Sequence, residues 1–227
     1  MVDLARPAHP DDDGSADPDV RRCLARLEDP VLLARRLRSA RLLGTVVAVA
    51  DTVGEDGADK DSHMAVVSMV GADGRRGLLA FTGIDSLAAW DPTARPVPAA
   101  GRDVARAALD EGSAAVVLDV AGPHARVLEG LALVVLADQA DLTTATALIQ
   151  AALAPLTGDG WVDVTVESGA VHPGADDPGV DLVVVLATQG HPDGRLPTQL
   201  AQQAARILGE RADLTRCVPG GVGIRLA

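Results

Sequence analysis

The chain has 227 residues, is 48% hydrophobic and 23% charged, and carries a formal net charge of −12 at pH 7. That length suits two domains of about 100 residues each. The acid excess argues against duplex nucleic acid, whose phosphates need a basic face, and against an anionic membrane surface.

Residues 1–18, MVDLARPAHPDDDGSADP, combine three prolines with an aspartate run and little apolar material, which predicts a disordered acidic tail. No basic-then-apolar leader pattern occurs at the N-terminus, and no apolar run approaches 18 residues. Cys23 and Cys217 stand far apart without a CxxC or His-linked zinc pattern, as expected of thiols in a reducing cytosol. Together these features predict a soluble, cytoplasmic protein.

From Val20 to Leu43, Leu24, Leu27, Val31, Leu33, Leu37 and Leu42 recur at roughly helical spacing. Pro30 divides the stretch, so two short helices or one kinked helix are expected. LGTVVAVA (43–50) and MAVVSMV (64–70) are buried strands by their β-branched content, joined by a polar, acidic excursion at 51–63. Asp73-Gly74 supplies a hairpin turn before the strand LLAF, and Thr82 is placed to cap the next helix, in which Ile84, Leu87 and Trp90 share a face. PTARPVP reads as an extended connector, and GRDVARAALDEG as an amphipathic helix. AAVVLDV (114–120) is a strand, AGP its turn, and ARVLEG the returning strand.

A helix over 141–154 ending at Pro155 follows. WVDVTVE then alternates as a half-buried strand and DLVVVLAT reads as a central strand. A helix over 197–209 is expected, and LTRCV–PGG–VGIRL as a terminal hairpin. An Asp-Gly-Arg turn recurs at 73–75 and 193–195, compatible with an internal duplication or with the frequency of this turn. The pattern predicts an α+β protein with a tail (1–18), an N-terminal domain (19–138) and a C-terminal domain (139–227). Each domain is an antiparallel or mixed sheet backed by helices.

Lys60, Met64, Asp73-Gly74-Arg75, Phe81-Thr82, Trp90, Arg95-Pro96-Val97-Pro98 and Asp119 fall in a pattern that resembles the SseB family, named for enhanced serine sensitivity. The form is the one common in high-GC Gram-positive bacteria. The resemblance covers about residues 20–137, with 141–227 similar to the less uniform C-terminal domain of such proteins. Gly83 departs from it, standing where the family often has serine, and AGP follows Asp119-Val120 where Asp-Pro is frequent. The resemblance implies no agreed reaction. The element order is also similar to that of secretion-chaperone-like folds, which bind peptides and often dimerise.

Phe81, Thr82, Trp90, Arg95 and Asp119 are the candidate binding residues. One reading makes them a recognition surface, with Arg95 over the Trp90 ring. The other makes Phe81 and Trp90 packing anchors, Thr82 a cap, and Asp119 a turn starter. No catalytic residue, cofactor or metal is assigned. A metal site drawn from His172, Asp176, Asp177, His191 and Asp193 lacks any fixed ligand spacing, and the cysteines and serines lie in no nucleophile motif. The leading expectation is a non-catalytic module binding a protein segment or small ligand through the FTGIDSLAAW surface. An enzyme using Asp119 with Arg95, and a dimerisation module without a pocket, are the alternatives.

Overall fold

A computed structural model describes residues 12–26, 28–49, 63–157, 162–168, 180–188 and 197–227. Two compact units emerge, Met1–Asp138 and Gln139–Ala227, and the protein is α+β as the sequence pattern predicts.

In the first unit, helices α1 (Pro18–Ala25) and α2 (Pro30–Leu37) each begin with an Asp-Pro pair. The Asp17 carboxylate accepts from the Asp19 N–H, and that of Asp29 from the Val31 and Leu32 N–H groups. Proline follows at the first helical position, where its missing N–H costs nothing. The stretch is therefore two separate helices.

Among the described residues seven strands form the large sheet: β1 (Arg41–Val49), β2 (His63–Val66), β3 (Ser68–Val70), β4 (Arg76–Phe81), β5 (Arg95–Ala100), β6 (Ala115–Leu118) and β7 (Arg126–Glu129). β1 and β4 pair antiparallel at Leu43–Phe81 and Gly44–Ala80, then diverge. β2 continues along β1 and β3 along β4, so the two are one strand bent at Val67. The Val67 N–H donates to the Thr45 carbonyl at 3.1 Å, and its own carbonyl accepts from the Leu79 N–H at 3.0 Å. The sheet forks at that residue.

β5 pairs with the other edge of β1, from Arg41–Ala100 to Val46–Arg95. The expected connector is thus an edge strand, the position in a sheet that tolerates its two prolines. β6 runs parallel to β4, and β7 returns antiparallel to β6.

Alternation along the strands splits the core between two faces. Leu43, Leu79, Phe81 and Val117 meet Leu87 of α3 (Ile84–Trp90), with Trp90 packed against them. Leu42, Leu78, Ala80, Val116 and Leu118, also buried, alternate with these and face the other way. α4 (Gly101–Asp110) packs on the sheet, and α5 (Gly130–Leu136) packs against α2 and α4. α5 is buried at every position from Leu131 to Leu136, and a helix apolar all round leaves no amphipathic period to read. At the start of α4 the Gly101 N–H bonds the Ala40 carbonyl, and a Cβ on Gly101 would lie 2.1 Å from the Leu37 carbonyl oxygen. Only glycine admits this approach.

The second unit has α6 (Leu142–Thr157), which runs past Pro155, then β8 (Val162–Ser168), β9 (Leu182–Thr188), α7 (Pro197–Gly209), α8 (Ala212–Cys217) and β10 (Val222–Leu226). β8 is antiparallel to β9 from Val162–Thr188 to Ser168–Leu182. The expected terminal hairpin is corrected. Residues 212–217 coil into α8, burying Leu214, and β10 lies parallel to β9 from Val222–Leu182 onward. The PGG turn redirects the chain to the central strand instead of folding it back on its predecessor.

Candidate functional site

β4 and β6 are parallel neighbours, so the residues that leave their carboxyl ends emerge side by side. These are Thr82 and Asp119. Asp119 Oδ1 accepts from the Thr82 N–H at 2.8 Å, and Oδ2 from the Thr82 hydroxyl at 2.7 Å. The Asp119 N–H continues the ladder to the Ala80 carbonyl. Asp119 is 7% exposed and has φ +48°, left-handed backbone that aspartate tolerates at a turn. The Gly122 N–H closes that turn on the Asp119 carbonyl at 2.8 Å. The helix cap expected of Thr82 is taken by Gly83 instead, and Thr82 spends its hydroxyl on Asp119. Ser86 supports the first turn of α3 by donating its hydroxyl proton to the Gly83 carbonyl at 2.9 Å.

A cavity of about 340 Å³ opens beside this clasp, between α1, α3 and the 119–124 turn. Arg21, Asp85, Asp119 and His124 supply its polar groups, Leu24 and Ala89 part of its apolar wall. Arg21 reaches across from α1: its Nη2 pairs with the Asp85 carboxylate, and its Nε approaches the Thr82 hydroxyl at 3.5 Å. The Arg21 hydrogen bond holds the Asp85 carboxyl below the ordinary value of 3.8. Reciprocally, the Asp85 hydrogen bond raises the Arg21 guanidinium, and the charge of Asp119 adds to the effect.

Asp12–Asp17, inside the stretch expected to be a tail, lie against the same corner. Arg41, at the start of β1, pairs through Nε with Asp12 at 2.9 Å, donates from Nη1 to the Thr82 carbonyl at 2.9 Å, and donates from Nη2 to the Ser15 carbonyl. The Ile84 N–H donates to the Gly14 carbonyl at 2.8 Å. A Cβ on Gly83 would lie 2.8 Å from the Ala16 nitrogen, so this segment takes its position because residue 83 has no side chain. These contacts offset the ordering entropy that composition alone leaves uncompensated.

The five candidate residues therefore separate into three groups. Thr82 and Asp119 form the clasp. Phe81, fully buried, and half-buried Trp90 stack beneath it, with ring centroids 5.5 Å apart and planes tilted by 35°. Arg95 is exposed on β5, across β1 from β4, and its side chain has no hydrogen-bond or ion-pair partner among the described residues. No cation–ring contact links it to Trp90. Arg21, Asp85 and His124 were not singled out. The local sign that α1 begins at Asp17-Pro18 was there, but the pairing of Arg21 with Asp85 spans 64 residues and has no sequence signature.

His172, Asp176, Asp177, His191 and Asp193 lie outside the described residues, as do Lys60, the 51–62 segment and the second Asp-Gly-Arg turn. Among the described residues no group of three or more His, Cys, Asp or Glu side chains could hold a metal ion, and no helix is long and apolar enough to cross a membrane.

Residues 24–135 match the family described as SseB protein N-terminal domain. The match includes the clasp and the cavity wall from Leu24 onward, and Arg21 and the 12–17 segment precede it. No curated protein and no solved structure matches the chain.

Proposed function

We propose, from the premise that this chain belongs to the SseB family, that its N-terminal unit is a non-catalytic binding module of the cytoplasm, taking a small ligand or one side chain of a protein segment into the cavity beside Asp119. The single observation that carries this reading is the cavity itself. Its size falls in the range of small-ligand sites, and a few convergent polar groups stand on an apolar wall, the usual make-up of such sites. The rings of Phe81 and Trp90 serve as its foundation, packed beneath the strand end that presents Thr82 and Asp119.

Binding is favoured over chemistry because both Asp119 oxygens already accept from Thr82. A general base needs an oxygen directed at the proton it removes. The Asp119–Arg95 pairing that an enzyme would use is opposed by their positions, since Arg95 lies on β5 and Asp119 follows β6, with β1 and β4 between those strands.

The test is a thermal-shift screen of the full chain against short peptides, small carboxylates, phosphates and amines, run beside Ala89→Trp, which fills the cavity. At a ligand concentration about 100 times Kd, binding stabilises the native state by about 2.7 kcal/mol. The expected result is a rise in melting temperature for at least one compound in the wild type and its loss in Ala89→Trp. A wild type that nothing shifts, or a shift that survives the filled cavity, would overturn the reading.

A further inference from the structure

The position of Arg21 defines the chemistry of the cavity more closely. Its guanidinium lies between two carboxylates, ion-paired to Asp85 and felt by Asp119, with Nε turned toward the Thr82 hydroxyl. Those acceptors belong to the matched family domain, whereas the guanidinium is that of Arg21, which precedes the match. Asp119 is held in place without Arg21, because Thr82 fixes both of its oxygens, and Asp85 is carried on α3. The receptor half is therefore built independently of its occupant. Its two carboxylates leave it electronegative once Arg21 is withdrawn.

The occupant is also carried on a lightly anchored element. α1 buries one side chain, Leu24, and is 8 residues long, too short to be helical without its contacts. Ahead of it, Asp12 and the Ser15 carbonyl are held by the side chain of Arg41, and the Gly14 carbonyl by the Ile84 N–H.

We propose, resting on the cavity reading above, that the Thr82–Asp85–Asp119 site recognises a guanidinium group, and that Arg21 is a built-in occupant which an incoming guanidinium displaces. Two planar carboxylates and a hydroxyl match the fork of donors that a guanidinium presents, whereas an ammonium concentrates its charge at one point. The incoming group belongs either to a free small molecule or to an arginine side chain of a protein segment, and the same site chemistry serves both. While Arg21 sits in the site, a competitor sees only the open fraction, so apparent affinity falls by that fraction. Removing Arg21 removes the competition.

The experiment uses the full chain, with the amides of Ser86, Ala89 and Gly122 followed by ¹H–¹⁵N NMR. The probes are methylguanidine, the tripeptide acetyl-Ala-Arg-Ala-amide, and the same tripeptide with norleucine in place of arginine. Arg21→Ala is expected to bind at least one guanidinium probe about 10-fold or more tighter than wild type, as expected if the site is open no more than about a tenth of the time. The norleucine peptide should gain nothing, and Asp85→Asn added to Arg21→Ala should cancel the gain. Asp85 is exposed, so that variant avoids disturbing the buried clasp. A larger gain for methylguanidine assigns the site to a small molecule, a larger gain for the arginine peptide to a protein segment, and either supports the proposal. Equal affinity in wild type and Arg21→Ala overturns it. So does an equal gain for the norleucine peptide, which leaves a cavity that binds without guanidinium preference. If no probe moves these amides in any variant, the guanidinium proposal is rejected, and the screen with Ala89→Trp then decides the cavity reading separately.

Discussion

Among the described residues every buried polar side chain belongs to the N-terminal unit: Thr45, Thr82, Ser86, Ser113 and Asp119. The buried set of the C-terminal unit is aliphatic throughout, from Ala145 in α6 to Val218 after α8. That unit also has a cavity, about 190 Å³ between α7, α8 and β10, but Leu208, Leu214 and Val218 line it and no charged group converges there. Burying a polar group costs free energy unless its hydrogen bonds are replaced. Thr82, Ser86 and Asp119 all have them replaced, and all three lie at one corner. The hydroxyls of Thr45 and Ser113 have no such partner, so the buried polar side chains whose hydrogen bonds are made good are those of the corner beside the cavity.

Cutting apolar volume in both units tests whether they are equally well-packed cores. Phe81→Ala should cost about 3–5 kcal/mol and Leu153→Ala about 2–5 kcal/mol, because each removes a fully buried side chain and leaves a cavity. Urea unfolding measures both, with Trp90 fluorescence in a Trp161→Phe background reporting the Phe81 site. Similar losses would place the units on equal footing as packed cores. A loss at Phe81 below about 1 kcal/mol, the scale of a surface change, would remove the ring pair as the foundation of the site.

A smaller effect separates the units. Thr82→Val keeps the shape of the side chain and deletes the hydroxyl, leaving Asp119 Oδ2 buried without its partner. A cost of about 1–3 kcal/mol is expected. The same change at Thr143, exposed on α6, should stay within about 0.5 kcal/mol. Equal, small losses at both threonines would show that the clasp contributes nothing that a surface threonine does not.

How much of this was legible in the chain follows from the range of the forces involved. β4, β6, α4 and α7 were readable because their apolar periods are local. So was the packing role of Phe81 and Trp90, which a chain otherwise poor in aromatics places nine residues apart and whose ring centroids lie 5.5 Å apart. Thr82 and Asp119 were each placed at a strand end, but their meeting depends on β4 and β6 being parallel, and strand direction leaves no mark on composition. Arg95 drew attention through its neighbours in sequence, yet β5 carries it to the far edge of β1. α5 lacked a polar face to mark its period, and the PGG turn pointed to a hairpin where the pairing is parallel. Arg21 acquires its meaning only when α1 is laid against α3.

The smallest expected effect concerns two charged pairs, one from each unit, that differ in the length of chain they span. Arg211 grips Asp213 two residues away, with bonds of 2.9 and 2.7 Å, and holds its carboxyl down to about 2. That contact fixes only the start of α8. Arg21 and Asp85 join segments 64 residues apart, so their contact is one of those that keep α1 on the domain. Their side chains are 42% and 61% exposed, and solvent screening limits the pair to under about 1 kcal/mol. Because the folded state lowers the Asp85 value, the contribution is full above the ordinary 3.8 and is lost as pH falls through the lowered value. Hydrogen exchange at the α1 amides, compared with Asp85→Asn, should therefore show faster opening in the variant at neutral pH and convergence of the two proteins in acid. Exchange at α8 should be the same in both proteins at every pH. Faster exchange at α8 in Asp85→Asn would mean that the substitution loosens the protein generally, and α1 would lose its standing as a separately released element.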